Sequence, residues 1–276
     1  MNPAPTEYKI NRAIGVFDSG IGGITVLKEL LRQLPNENFI YLGDTARLPY
    51  GSKSADTVRK YSLQNMDFLI SRNVKALIVA CNTASTQVLE NTFRNIPVYN
   101  VIDPGAKKAA AATENSKIGV LATRATIAAG TYSEKIKNFQ PAAEVLTQAC
   151  PLFVSLAEEG WHDDPITNLI AYRYLQNLKA ADVDTVVLGC THYPLLKTAI
   201  AKVFGKNVKL IDSGEELAQQ LGADLEANVL LKNTNPEPKL LTICLTDSAP
   251  HFENLSLRLL SEVTAIKPNF ETVSVI

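Results

Sequence analysis

Residues 186–193 read VVLGCTHY, and residues 77–84 read LIVACNTA. Each stretch opens on a run of apolar, largely β-branched residues and then breaks, at Cys190 or Cys81, into small polar side chains. An apolar run of this length bounded by polar residues predicts a strand buried on both faces, with the cysteine at its carboxyl end. The sequence beyond the two cysteines follows one plan. Asp103 lies 22 residues after Cys81, in VIDPG, and Asp212 lies 22 residues after Cys190, in LIDSG. An Ala stands six residues beyond either Asp, and Ile-Gly-Val opens both units upstream, at 14–16 and 118–120. Repetition at matched spacing marks a duplicated architecture.

The rest of the chain fits that frame. Strand-like runs at 13–18, 39–42, 76–80 and 98–102 alternate with helical patterns at 25–34, 55–71 and 84–93. The rhythm resumes with strands at 117–122, 144–146, 185–189 and 208–211. After a polar Pro/Asn turn region, KNTNPEP at 232–238, the tail adds strands at 239–245 and 271–275 around a helix at 251–262. Apolar strands alternating with helices predict an α/β fold whose parallel sheets are covered on both faces. The expected architecture is two similar parallel-sheet α/β domains, related by an internal pseudo-repeat and facing one another. Ligands in such folds bind outside the carboxyl ends of the strands. A cleft between the domains would therefore carry one thiol on each wall.

Composition narrows the function classes. Of 276 residues, 46% are apolar and 20% charged, and the net charge of −1 leaves no footprint for nucleic acid or an anionic membrane surface. The opening MNPAPTEYKINRAIG lacks the cationic start and apolar core of a signal peptide, and no apolar stretch has the length of a membrane span. These features predict a cytoplasmic protein with no membrane partner. Cys81, Cys150, Cys190 and Cys244 form no C-x-x-C pair, so free thiols are expected.

A free cysteine is most often a small buried hydrophobe. Cys81 and Cys190 depart from that pattern: each ends a strand, each precedes polar residues, and the two occupy matching repeat positions. Backbone N–H groups of a following helix would also favour the thiolate there. Cys150, in TQACPLF, and Cys244, in LTICL, lack these features and read as structural. Asp18 lies in VFDSGIGGITVL, where a Gly-rich turn from strand to helix could cradle an anion, or could simply be a tight connection. Asp44 follows at the spacing of a ribose-binding acid, but Asp18-Ser19 occupies the place where a dinucleotide fingerprint needs its first Gly. The loop 43–54, GDTARLPYGSKS, is a candidate site edge or an exposed connection. His192 stands two residues from Cys190, either as a proton partner for the thiol or as a helix-cap side chain. With three histidines in the chain and no ligand-spaced set, no metal site is expected. Glu158 and Glu159 are either a solvated helix end or a carboxylate that assists the second thiol, as Asp18 would assist the first.

Two acid–base groups on opposite walls suit one class of reaction. Removing a proton from one face of a stereocentre and returning one to the other inverts configuration, and requires an acid and a base that exchange roles. Thiols can be tuned in both directions around neutrality. An anionic substrate would dock its carboxylates on Ser19, Asn82, Thr83 and Thr191.

The motifs VFDSGIGGITVL, YLGDTARLPYGSKS, LIVACNTAS, VIDPG, CPLFVSLAEEGW, VVLGCTHYPLL and LIDSG, in that order over residues 14–220, resemble those of the glutamate racemase family. The tail is less similar, with only LTDSAPHF loosely matching the family's closing segment. The resemblance implies interconversion of L- and D-glutamate without pyridoxal phosphate or metal, supplying D-glutamate for peptidoglycan precursors. It implies that Cys81 takes the α-proton from D-glutamate and Cys190 from L-glutamate. Asp18, His192 and Glu158 would assist, with Glu159 the lesser choice beside Glu158. Implied substrate contacts are Asp18, Ser19, Tyr50, Gly51, Asn82, Thr83, Thr191 and His192. It further implies lobes of 1–103 plus 218–276 and of 104–217, and leaves room for a homodimer. The rival expectations are a sister racemase acting on another amino acid, a two-lobed solute-binding protein, and a thiol redox protein.

Overall fold

The computed structural model describes residues 11–227, 239–247 and 250–275. In chain order its strands are β1 (Ile14–Asp18), β2 (Phe39–Gly43), β3 (Ala76–Val79), β4 (Thr92–Phe93), β5 (Ile96–Asn100), β6 (Lys117–Ala122), β7 (Glu144–Ala149), β8 (Thr185–Gly189), β9 (Lys209–Asp212), β10 (Leu241–Leu245) and β11 (Asn269–Thr272). They form a seven-stranded sheet, β11-β10-β2-β1-β3-β5-β4, and a four-stranded sheet, β7-β6-β8-β9. Every pairing is parallel except β4 with β5.

The helices are α1 (Gly23–Gln33), α2 (Ala55–Ser71), α3 (Asn82–Ser85), α4 (Ile102–Ala112), α5 (Arg124–Ala129), α6 (Thr131–Phe139), α7 (Leu152–Glu158), α8 (Pro165–Ala180), α9 (Lys197–Phe204), α10 (Ser213–Ala227) and α11 (Pro250–Leu260). They cover both faces of both sheets, which is why the central strands carry apolar side chains on either side. In β3, Ile78 points into one core with Leu27 and Leu30, while Leu77 and Val79 point into another with Met66 and Leu69. In β8, Val186 and Leu188 pack among Leu175 and Phe153, and Val187 among Ile118, Val120 and Ile136. Each such fully buried aliphatic side chain contributes about 1.5–3 kcal/mol.

The duplication is visible in strand order. With the short edge strand β4 set aside, strands two, one, three and four of each unit in sequence lie side by side, as β2-β1-β3-β5 and as β7-β6-β8-β9. The register repeats too. Phe17 pairs with Val79, two residues before Cys81, and Leu121 pairs with Leu188, two residues before Cys190. Beyond the strands, the Asp44 N–H donates to Asp18 O (3.0 Å) and the Cys150 N–H to Ala122 O (2.9 Å). Asp18 therefore matches Ala122, and Asp44 matches Cys150.

Helices α4 and α10 carry the chain between the two units. Ile102, Ala106 and Ala109 of α4 join the core of the four-stranded sheet, whereas Leu217, Ala218, Leu221 and Leu225 of α10 join that of the seven-stranded sheet. The expected boundaries at 103/104 and 217/218 fall inside these two helices.

One expected element is corrected. Residues 84–93 do not form a helix: α3 stops at Ser85, and Thr92–Phe93 turns back as a short antiparallel strand on β5. Arg94 and Asn95 both have positive φ, 46° and 65°, which is the geometry of a two-residue hairpin turn and not of a helix-to-strand loop. The turn region at 232–238 lies outside the described residues.

Candidate active site

Each half of the site begins where a strand stops. After β3, Cys81 caps α3 with extended backbone (φ −65°, ψ 117°) and accepts the Ser85 N–H on its carbonyl at 2.8 Å. After β8, Cys190 leads into a turn in which the Tyr193 N–H donates back to its carbonyl at 3.1 Å. Both side chains are buried, and both line one cavity of about 140 Å³ between the two units. A volume that small suits a metabolite of amino-acid size and excludes a dinucleotide or peptide.

The two thiols have different company. The Cys81 thiol faces Ser19 Oγ at 3.9 Å, and Ser19 Oγ in turn faces Asp18 Oδ2 at 3.5 Å. Asp18 has no solvent exposure. Burial holds its carboxyl above the usual carboxylate range, against the opposing pull of the His192 charge and the Thr191 hydroxyl. Burial, and then the Asp18 charge, also push the Cys81 thiol well up, so it stays protonated through neutral pH. On the other wall, Cys190 Sγ lies 3.8 Å from His192 Nδ1, and His192 Nε2 lies 3.0 Å from Glu158 Oε1. Burial alone would depress the imidazole, but its hydrogen bonds to Cys190 and Glu158 outweigh that and push it up to about 10. At neutral pH the histidine is an imidazolium wedged between a thiol and a carboxylate.

Hydrogen bonds lock the walls together. Thr25 Oγ1 donates to Thr191 O (2.8 Å), Thr191 Oγ1 to Asp18 Oδ1 (3.1 Å), and Tyr132 OH to Asn82 Oδ1 (2.6 Å). Thr83 Oγ1 meets Thr123 Oγ1 and Thr126 Oγ1, each at 3.0 Å. Two glycines permit the approach. A Cβ on Gly22 would lie 2.3 Å from Thr191 Oγ1 and 2.5 Å from His192 Nδ1, and one on Gly51 would lie 2.7 Å from Thr123 Cβ.

Ser19, Tyr50, Gly51, Cys81, Asn82, Thr83, Cys190, Thr191 and His192 all line the cavity. Asp18 and Glu158 do not: they stand behind its wall and face it through Ser19, Thr191 and His192. The Tyr50 hydroxyl is also turned away from the cavity. It donates to Asp44 and accepts from Asn65 Nδ2 at 3.0 Å, and Asp44 is clamped in turn by the Arg47 guanidinium at 2.7 Å. Glu159 makes no side-chain contact with His192; the imidazole is paired to Glu158.

Thr123, Arg124, Val154 and Ser155 line the cavity without having been expected there. The repeat carried a signal for the first of them, since Thr123 follows β6 as Ser19 follows β1. Val154 and Ser155 sit on α7, which reaches the site only through packing. Among the described residues, no group of three or more His, Cys, Asp or Glu side chains could hold a metal ion, and no helix is long and apolar enough to cross a membrane.

Residues 14–221 match the Asp/Glu/Hydantoin racemase family model. The chain is 52% identical over 228 residues to a glutamate racemase of Geobacter metallireducens, an alignment covering 82% of this chain and 84% of that protein. It also resembles crystal structures. For glutamate racemase isoform RacE1 from Bacillus anthracis the TM-score is 0.88 at 36% identity, covering 96% of this chain and 98% of the other. For the glutamate racemase of Francisella tularensis in complex with D-glutamate it is 0.87 at 40% identity, with the same coverage. A duplicated α/β fold, paired thiols in one amino-acid-sized cavity and similarity along most of the chain agree: the protein belongs to the Asp/Glu/Hydantoin racemase family of amino-acid racemases.

Proposed function

We propose that this racemase interconverts L- and D-glutamate by a two-base mechanism in which Cys81 and Cys190 work from opposite sides of the α-carbon. The observation that carries the proposal is the pair of thiols at equivalent strand ends lining one cavity. The relatives from Geobacter metallireducens, Bacillus anthracis and Francisella tularensis, each a glutamate racemase, support glutamate as substrate.

In the L-to-D direction, Cys190 as thiolate removes the α-proton. The electron pair left on the α-carbon delocalises into the substrate's α-carboxylate, and Cys81 as thiol delivers its proton to the opposite face. Cys190 ends as thiol and Cys81 as thiolate, the state required for the reverse reaction. Burial suits Cys81 to the donor role, because desolvation disfavours its charged form. The His192 imidazolium would stabilise a thiolate at Cys190, with Glu158 fixing the ring. Asp18 positions Ser19 and Thr191 at the substrate, and its buried carboxyl can receive a proton passing from Cys81 through Ser19. Hydroxyl and amide donors of Ser19, Asn82, Thr83 and Thr191, with the backbone at Tyr50 and Gly51, would hold the two carboxylates. Stabilising charge where it develops is the largest share of such catalysis. The lobes are taken as 1–103 plus 218–276 and 104–217, and the D-glutamate formed would supply peptidoglycan precursor synthesis in the cytoplasm.

The test is circular dichroism of L-glutamate incubated with the purified protein and no added cofactor. The signal should decay to zero at an equimolar mixture, and in D2O both recovered enantiomers should carry an α-deuterium. Unchanged L-glutamate, or racemisation without solvent exchange, would overturn the two-base reading. Loss of signal with aspartate in place of glutamate would move the substrate assignment.

A further inference from the structure

Asn82 is buried and lines the cavity directly after Cys81. Its amide is divided between two environments. Oδ1 accepts the Tyr132 hydroxyl at 2.6 Å, while Nδ2, fully shielded from solvent, has no hydrogen-bond partner among the described residues. A buried, unpartnered N–H2 costs free energy comparable to the desolvation of the group, so its persistence calls for a role. Rotating the amide by half a turn would exchange the two ends. The Tyr132 hydroxyl then would have to accept from Nδ2, and the unpartnered end of the amide would be an acceptor instead of a donor.

Tyr132 comes from α6 in the opposite unit and is itself almost completely buried. Gly189 makes room for it: a Cβ there would lie 3.1 Å from Tyr132 Cε2. The ring thus has little freedom to move away from Asn82.

We propose that Tyr132 is a positioning residue that fixes the Asn82 amide with Nδ2 toward the cavity, presenting a hydrogen-bond donor to a carboxylate of the bound substrate from across the lobe interface. The inference rests on the assignment of glutamate as substrate. It gives the two units a shared recognition element: the donor belongs to one and its orientation to the other. A carboxylate is acceptor-only, so a misoriented Asn82 would meet it with a like partial charge.

The experiment is a double-mutant cycle on KM and kcat for glutamate racemisation, using Tyr132→Phe, Asn82→Ala and the pair. Phe keeps the ring and removes the hydroxyl, with its bond to Asn82 and its interaction with Ser213. Losing the orienting hydrogen bond should raise KM on the order of tenfold with a smaller change in kcat. In the Asn82→Ala background the same substitution should change neither parameter, because nothing is left to orient. A neutron structure of Tyr132→Phe, which tells the amide oxygen from the nitrogen, should show the Asn82 amide rotated or in two orientations. Additive effects of the two substitutions, an unchanged KM in Tyr132→Phe, or an unmoved Asn82 amide would overturn the role. Wild-type protein inactive on glutamate would overturn the substrate assignment and this inference with it, whereas active wild type with an indifferent Tyr132→Phe removes this inference alone.

Discussion

The two walls of the cleft share a backbone and differ in chemistry. Strand order and register repeat down to the residues flanking each thiol. Yet Asp18 on the first wall corresponds to Ala122 on the second, and Asn82-Thr83 after Cys81 corresponds to Thr191-His192 after Cys190. The first thiol is neutral beside a buried acid relayed through a serine, and the second sits against an imidazolium held by a glutamate. Duplication supplied the opposed geometry; divergence of three or four side chains set one thiol near a buried acid and the other beside an imidazole. The thermodynamics of the reaction limit what such asymmetry can do. L- and D-glutamate have equal free energies, so kcat/KM must be the same in both directions. Differences between the walls therefore appear in kcat and KM separately, or in partial reactions confined to one face.

Replacing one thiol should have the largest effect and separates the walls most cleanly. Cys81→Ala and Cys190→Ala should each lower racemisation by about 10²–10⁴-fold, the usual contribution of a positioned acid or base. In D2O, Cys81→Ala should still exchange the α-proton of L-glutamate with retention, and Cys190→Ala only that of D-glutamate. Exchange of the same enantiomer in both variants would end the assignment of walls to faces.

A smaller loss is expected from the assisting groups. His192→Asn should reduce kcat/KM near the lower end of that range, roughly 10²-fold, since it removes the cation beside Cys190. Asp18→Asn should cost about tenfold, mostly through the Thr191 and Ser19 hydrogen bonds it would weaken. The order reverses if the first wall's acid carries more of the proton traffic than its buried position implies.

The smallest effect is on stability and concerns the second wall only. His192 has its pKa raised in the fold, from 6.5 to about 10. A group raised by folding stabilises fully below its unfolded pKa and loses that contribution as pH climbs through the folded value. Urea midpoints of the wild type should therefore fall between about pH 6.5 and 10, and His192→Asn should flatten that slope. A slope equal to that of the wild type would show that the imidazolium is not held by Cys190 and Glu158.

Much of this was legible before any coordinates. The run lengths around Cys81 and Cys190 forced buried strands, and the matched 22-residue spacing to Asp103 and Asp212 revealed the duplication. Helix 55–71 was readable to the residue because Ser54 caps it, its hydroxyl accepting the Thr57 N–H. The segment 84–93 was misread because its Ala, Gln, Leu and Glu suit a helix locally, while pairing with β5 is a contact that only the folded sheet supplies.

What the sequence determined by itself is whatever depends on local pattern: the strands, their hydrophobic faces, the repeat, and which two cysteines share a repeat position. Tertiary structure decided whatever depends on approach between distant segments. It placed Asp18 behind Ser19, chose Glu158 over Glu159 for His192, turned the Tyr50 hydroxyl to Asp44, and brought Thr123, Arg124 and Tyr132 to the cleft. The physical reason is that burial and hydrogen-bond partnership are properties of packed surfaces. Spacing along one chain fixes which face a side chain occupies, but not what it meets there.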